Sequence, residues 1–589
     1  MIRYKLSLAA RVQHLVDVDI HLTDLSTDAV DLVMPAWTPG SYLLREYARH
    51  VQNFRAEAHG QPVSWSKVEK GRWRIAVQGR SLSVHYQVYA NELSVRTSHA
   101  DATHAHLMPA ATCMYLEGAK DERVQIDVEP PVGWTVATGL PCLSAGEPWP
   151  GPGAATFMAE SYDQLVDSPF EIGTHRTLAF AVDGRPHRIV VWGRGNEDDQ
   201  RLVADTQRIV EAERDFWGGL PYDDYTFFLL LGGKTASGGL EHRNSTSLFV
   251  PRFIFRPAKN YERYLSLVSH EFFHTWNVKR LRAAGLGPFD YTQETYTPLL
   301  WAMEGVTEYY TDLLLCRAGL FSSQRYLERL ADDILMQQAT PGRQLQSLSC
   351  SSFDSWIKFY RPDENTVNTG ISYYLKGALV ALVLDLDIRQ RTNNVHSLDH
   401  VMSYLYEQYP LGGPGMPPDA YQQAIQQVAG IDASDFFDRY INGTDEVPFS
   451  EYLAAAGIVL EWSFKDRQHD GDEPRPTLGI RIRSDNGQFK VANVLSDGPA
   501  ARSGLAAEDE LIALDDFRIA DEGTLYERLR DRQPGETVTM TVFRREMLMR
   551  IAVTLGTPQH DGLKLVLRPD VTEAQRALRA DWLRQHDTG

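Results

Sequence analysis

The sequence predicts a multidomain fold: an N-terminal β-sandwich, an α+β middle lobe that becomes mostly helical, and a small β-rich module near the C-terminus. Three observations predict it. The 589 residues are more than one hydrophobic core can organise. Period-two alternation dominates up to about residue 170 and yields to helical spacing near residue 198. A polar, proline-bearing stretch at 464–476 then separates the helices from a second set of strand-like runs. These shifts place the domain limits at 1–172, 173–463 and 470–560, with a helical tail at 561–589.

In the first domain "VDVDIHL", "AVDLVMPAW", "RWRIAVQG" and "SLSVHYQVYA" are short runs of alternating or β-branched residues, broken by Gly, Pro, Asn and Asp. The middle domain opens on "DDQRLVADTQRIVEAERDFWGGLP", acidic at its start and stopped by Gly-Gly-Leu-Pro, as a helix should be. A strand, "YTFFLLLGG", a Gly-rich turn and a second strand, "TSLFVPRF", follow. Helices are then predicted over 261–280, 298–317, 323–338, 371–391, 397–408 and 418–429. The third domain reads "TLGIRIRS", "FKVANVL", "DELIALDD", "TVTMTVFR" and "LMRIAVTL" as strands, with "TLYERLRDR" as a helix between them. "VTEAQRALRADWLRQ" gives the tail its amphipathic helix.

Composition excludes several classes. The chain is 43% hydrophobic and 23% charged, ordinary for a globular protein. A net charge of −19 argues against nucleic acid or an anionic membrane as the main partner. No run of eighteen apolar residues predicts a membrane span, and the opening residues lack the apolar core of a signal peptide. Cys113, Cys142, Cys316 and Cys350 are widely spaced and form no CxxC, so free thiols in a reducing cytoplasm are expected. Nothing in the sequence sets the oligomeric state.

The chemistry concentrates in "SLVSHEFFHTWNVKRL". On a helix His270 and His274 stand one above the other and can direct both imidazoles at one metal ion. Glu271 sits one position round, where a general base for a metal-activated water belongs. The next predicted helix, "LLWAMEGVTEYYTDLLL", carries Glu304 and Glu308 in apolar surroundings. Carboxylates facing a core need a positive partner, and a dication supplies one. Glu304 is the candidate third ligand. Glu308 is the candidate acceptor for the second ring N–H of a ligand histidine. Two imidazoles and a carboxylate suit Zn²⁺, one per chain, with one position open.

These motifs resemble the gluzincin zinc peptidases, the group of thermolysin and of the aminopeptidase N/leukotriene A4 hydrolase family. "WAMEG" resembles the "WLNEG" of aminopeptidase N, although a longer spacer, holding "LRAAGLGPFDYTQETYT", separates it from His274. "SYYLKG" resembles the helix whose Tyr stabilises the oxyanion, which implies that role for Tyr374, with Tyr373 as its neighbour. "GGLEHRNS" resembles the "GAMEN" strand. There Gly238 and Gly239 would leave backbone groups open to a substrate strand, and Glu241 would bind the substrate α-amine. His242 departs from that pattern, which has Asn.

The full combination is identified as a member of the PDZ-containing glycyl aminopeptidases. It rests also on "PAWTPGSYLLREYARHVQNF", "FYRPDEN" and "DFFDRYINGTDEVPF", and it runs nearly the whole chain. The resemblance implies a thermolysin-like catalytic domain and a C-terminal PDZ domain. Leu478, Gly479 and Ile480 would form the loop for a peptide's C-terminal carboxylate. It further implies peptides with a free N-terminus as substrates and a preference for Gly or Ala at that end. The alternatives are an endopeptidase of the same mechanism, in which Glu241 has no amine role, and an inactive scaffold that works through its PDZ groove.

Overall fold

The computed structural model describes residues 1–143, 149–465, 473–485 and 487–584. Residues 466–472, the middle of the expected linker, and the last five of the tail lie outside the described residues. Contacts divide the chain into two compact units. One comprises Met1–Thr297, Tyr310–Leu320 and Ser403–Pro418; the other comprises Pro298–Tyr309, Phe321–Met402 and Asp419–Gly589.

The first unit begins with the predicted β-rich domain, in which sheets of seven, five and four strands share one apolar core. Leu15–Thr23 shows why. Val16, Val18, Ile20 and Leu22 point inward, and the strand pairs antiparallel with Ile2–Ser7 and with Ser81–Tyr89. A turn at Trp37–Ser41 leaves this core and is pinned to the segment around residue 290, with Trp37 Nε1 donating to the Asp290 carbonyl at 2.9 Å.

A five-stranded sheet follows in the same unit. Arg185–Trp192, Tyr225–Gly232 and Ser245–Pro251 run parallel. Every residue of Tyr225–Gly232 is buried, as its unbroken apolar run requires. Gly239–Glu241 adds antiparallel to Ser245–Pro251 and ends the sheet, so it is an edge strand. The helix Asp199–Trp217 is capped as its sequence foretells. The Asp198 carboxylate accepts from the N–H groups of Gln200 and Arg201, and Gly218 closes the other end at φ +77°.

The helix expected over 261–280 spans Ala258–Phe273 instead. His274 is its C-cap and keeps right-handed helical geometry, φ −61° and ψ −16°, so its side chain still lies one turn beyond His270. The chain then breaks away, with Val278 at φ +106°. Arg280 stabilises the break by donating to the carbonyls of Thr275, Arg243 and Pro221. The expected helix 298–317 opens as a π turn, Trp301–Gly305, and continues as the α-helix Val306–Arg317.

In the second unit Ser323–Gln338 matches its prediction, and the helix expected from 371 starts at Leu375. Gly305 lies against this second helix. A Cβ there would come within 2.6 Å of Gly377 Cα and of the Tyr373 carbonyl oxygen. The C-terminal module has its own apolar core, built by strands that include Ile480–Asp485 and Gln488–Val494 and by the helix Glu522–Arg530. Asn368 stitches this module to the helical lobe, donating to the Val494 carbonyl at 2.8 Å and accepting from the Ser496 N–H at 2.9 Å. Downstream, Gly562–Leu567 pairs with Ile458–Ser463, and the final helix is Glu573–Leu583.

Candidate active site

In the first unit, the last turn of Ala258–Phe273 buries His270 and Glu271, and His274 follows, also buried. The two imidazoles meet edge to face with their Nε2 atoms 3.1 Å apart. Their other nitrogens are held. His274 Nδ1 lies 2.9 Å from the Asn277 carbonyl oxygen, to which it can only donate, so its Nε2 presents a lone pair. His270 Nδ1 lies 3.2 Å from the Thr311 hydroxyl. Zinc–nitrogen bonds of about 2.0–2.1 Å at a tetrahedral angle put two nitrogens roughly 3.3 Å apart, so the observed separation fits one edge of such a shell.

Ser269 ties the helix down beneath this pair, donating to the Thr311 carbonyl at 3.0 Å and to Glu213 at 3.3 Å. Burial pushes the Glu213 carboxyl well above its ordinary range. Thr311, Asn277 and Glu213 carry no signature in the sequence. A lone hydroxyl, a main-chain carbonyl and a core carboxylate are found only once the elements pack.

Glu271 faces the edge strand. A Cβ on Gly239 would fall 2.0 Å from Glu271 Oε1, so only glycine lets the strand run under the carboxylate. Glu241, Glu271 and His274 each place a ligand-type atom within 4.8 Å of the others, and all three are buried. The Gly40 turn of the β-rich domain closes the far side of Glu241. At φ +85°, a Cβ on Gly40 would stand 2.6 Å from Glu241 Oε1. Gly238, at φ +139°, passes beside the Arg96 guanidinium.

His242 is buried with Nδ1 3.5 Å from Asp167, which also takes the Lys279 ammonium at 2.7 Å and the Arg243 N–H at 2.8 Å. Burial alone would raise Asp167; Lys279 and His242 overcome it and hold the carboxyl well below the usual range. Burial opposes the charge on Lys279 too, but Asp167 and then Glu241 keep its pKa above the ordinary value. His242 therefore anchors the strand end through Asp167.

The second unit holds the remaining predicted residues. Glu304 is buried inside the π turn, a local widening that recurs at functional sites. Glu308 is exposed. The two histidine Nδ1 atoms lie against the Thr311 hydroxyl and the Asn277 carbonyl. Tyr374 is half-buried at the start of Leu375–Arg391, whereas Tyr373 is fully buried; both stack with Phe359. Gly479, at φ +71°, packs on Gly498. Leu478, Gly479 and Ile480 line a cavity of about 540 Å³ with Ile482, Leu525 and Tyr526. The groove is therefore open, and Leu335 and Met336 of the helical lobe border it.

Comparison with known proteins places the chain in a family. Residues 3–174 match the Peptidase M61 N-terminal domain, residues 263–380 the M61 glycyl aminopeptidase family, and residues 476–555 a PDZ domain. An aminopeptidase N family protein from Idiomarina loihiensis is 32% identical, with 99% of this chain and 100% of that one covered, at a TM-score of 0.91. An M1 zinc metallopeptidase from Deinococcus radiodurans is 14% identical, with 76% of this chain and 94% of that one covered, at a TM-score of 0.49. Among curated proteins, a probable periplasmic serine endoprotease DegP-like from Ectopseudomonas mendocina (strain ymp) is 25% identical over 190 residues; the chain spans 40% of its length. Fold and site together define a peptidase. More particularly, the chain belongs to the PDZ-containing M61 glycyl aminopeptidase family of aminopeptidase N-like proteins.

Proposed function

We propose that the protein is a zinc-dependent aminopeptidase that removes N-terminal residues, small ones such as Gly or Ala, from peptides. His270, His274 and Glu304 hold the ion. Bound there, zinc supplies Lewis acidity, which lowers the pKa of water to about 7 and polarises a carbonyl.

The chain's own groups do the rest. Glu271 takes the proton of the attacking water and returns it to the leaving amine nitrogen. Tyr374 donates a hydrogen bond to the developing oxyanion. The exposed edge of Gly239–Glu241 pairs with the substrate backbone, as an unpartnered strand edge can. Glu241 binds the α-ammonium.

One observation carries the exopeptidase reading: the strand runs into a buried carboxylate that the Gly40 turn walls off. Lys279 is a positive neighbour of this carboxylate, but Glu241 Oε1 is buried without a hydrogen-bond partner among the described residues, and a peptide's first ammonium can supply one. The small-residue preference is supported by the family and by the crowding of Gly40 and Gly239 around Glu241 and Glu271. The test compares a panel of aminoacyl-p-nitroanilides and their N-acetylated forms. Gly and Ala should be released fastest, and acetylation should abolish release; equal cleavage of blocked peptides would favour an endopeptidase.

A further inference from the structure

Behind the Gly40 turn, within the first unit, lies a small cavity of about 70 Å³ walled by Trp37, Phe289 and Leu286. Three cations reach it: Arg243, Lys279 and Arg282. Lys279 is committed to Asp167 at 2.7 Å. The two guanidinium groups are not committed. Among the described residues neither makes a side-chain hydrogen bond or an ion pair. Arg243 uses only its main-chain N–H and carbonyl, and its Nε is buried. Arg282 meets only the face of Phe289, at 5.7 Å.

Burial lowers the pKa of Arg282; Asp163 opposes that and Arg243 adds to it. The two carboxylates that reach the cavity, Asp163 and Asp167, act on the guanidiniums through space and spend their short hydrogen bonds on other groups. Asp167 holds Lys279, and Asp163 accepts the Tyr291 hydroxyl at 2.6 Å. The place of Arg282 is also built for it, since a Cβ on Gly287 would fall 2.1 Å from its Nη1. Two half-buried forks of N–H donors around one small void are the donor set of an oxyanion site.

We propose that Arg243 and Arg282 bind one small oxyanion, of carboxylate or phosphate type, in this cavity. Gly40 is one of its walls and on its other side abuts Glu241, so the bound ion would buttress the carboxylate assigned to the α-amine. That consequence rests on the aminopeptidase reading; the binding does not.

The test is calorimetric titration of the full-length, zinc-loaded protein with sodium phosphate and, separately, sodium acetate at fixed ionic strength. One-to-one saturable binding is expected, with the tighter anion identifying the source as inorganic phosphate or a free carboxylate. Arg243→Gln and Arg282→Gln should each weaken binding at least tenfold. In anion-poor buffer the circular dichroism of Arg282→Gln should match the parent's, so its loss of binding is not misfolding. Absence of saturable binding with either anion, or binding untouched by both substitutions, would overturn the proposal.

Discussion

At the scale of single residues, the pattern His-Glu-x-x-His was legible because helical spacing alone stacks its imidazoles, and nothing in the packing disturbs that local rule. Glu271→Gln keeps the shape of the side chain and removes its basicity. It should retain one zinc per chain by metal analysis and lose activity by about 10²–10⁴-fold, the usual worth of a positioned proton acceptor. Gly239→Ala tests the contact from the other side. Its Cβ must displace the Glu271 carboxylate, and a displacement near 1 Å costs roughly 10²-fold in rate. The check is kcat with unchanged circular dichroism; full activity would mean that the strand does not run under Glu271. What could not be read was the support. A threonine hydroxyl and a main-chain carbonyl lie against the imidazoles, partners that depend on which group arrives within 3 Å or so after packing. Thr311→Val should therefore weaken zinc retention about 10–100-fold in competition with a chelator, without altering the ligands themselves.

At the scale of elements, helices whose ends are set by their own residues came out where the sequence put them. Ser323–Gln338 is an example, with the Ser322 hydroxyl accepting from the Arg325 N–H. Helices ended by distant groups did not. The helical spacing carries the expected His270 helix on through residues 274–280, but Arg280 spends its guanidinium on carbonyls from residues 221, 243 and 275, and the left-handed Val278 turns the chain away. Likewise no local signal foretells the π turn around Glu304. It coincides with the close backbone approach of Gly305 to Gly377. Gly305→Ala would drive a methyl group into that approach, where two backbones rather than a flexible side chain must yield. Overpacking of this kind costs about 1–3 kcal/mol, so urea denaturation should show a lower midpoint at unchanged slope. Wild-type stability would mean that the helix and the π turn are not held at backbone contact.

At the scale of the whole molecule, the β-rich first domain, the helical middle and the PDZ domain were legible from the period of the apolar residues. The buried polar groups of the first unit were not, because a histidine in an alternating strand reads the same whether it faces water or the core. Two of them set how the molecule responds to acid. His104 and His187 are fully buried, and burial lowers each to about 4. His104 is held by Glu171 and stacks on Trp192; His187 lies against Phe180 and bonds to the Tyr222 hydroxyl. In the unfolded chain each titrates near 6.5, so between about 6.5 and 4 the unfolded state binds more protons and stability falls as pH falls. Glu171 runs the other way. Burial raises it to about 7, so between about 4.5 and 7 the folded state carries the extra proton and stability falls as pH rises. The two slopes share a window, in which His175 adds to the histidine side and Glu213 to the carboxyl side, so single substitutions separate them. Thermal unfolding from pH 6.5 to 4 should therefore separate the two contributions when one histidine is removed. His187→Gln keeps a polar group for Tyr222 and removes one titration, so its acid limb should be shallower by up to about 1.4 kcal/mol per pH unit. An unchanged limb would mean that His187 can take up a proton without leaving its packed position.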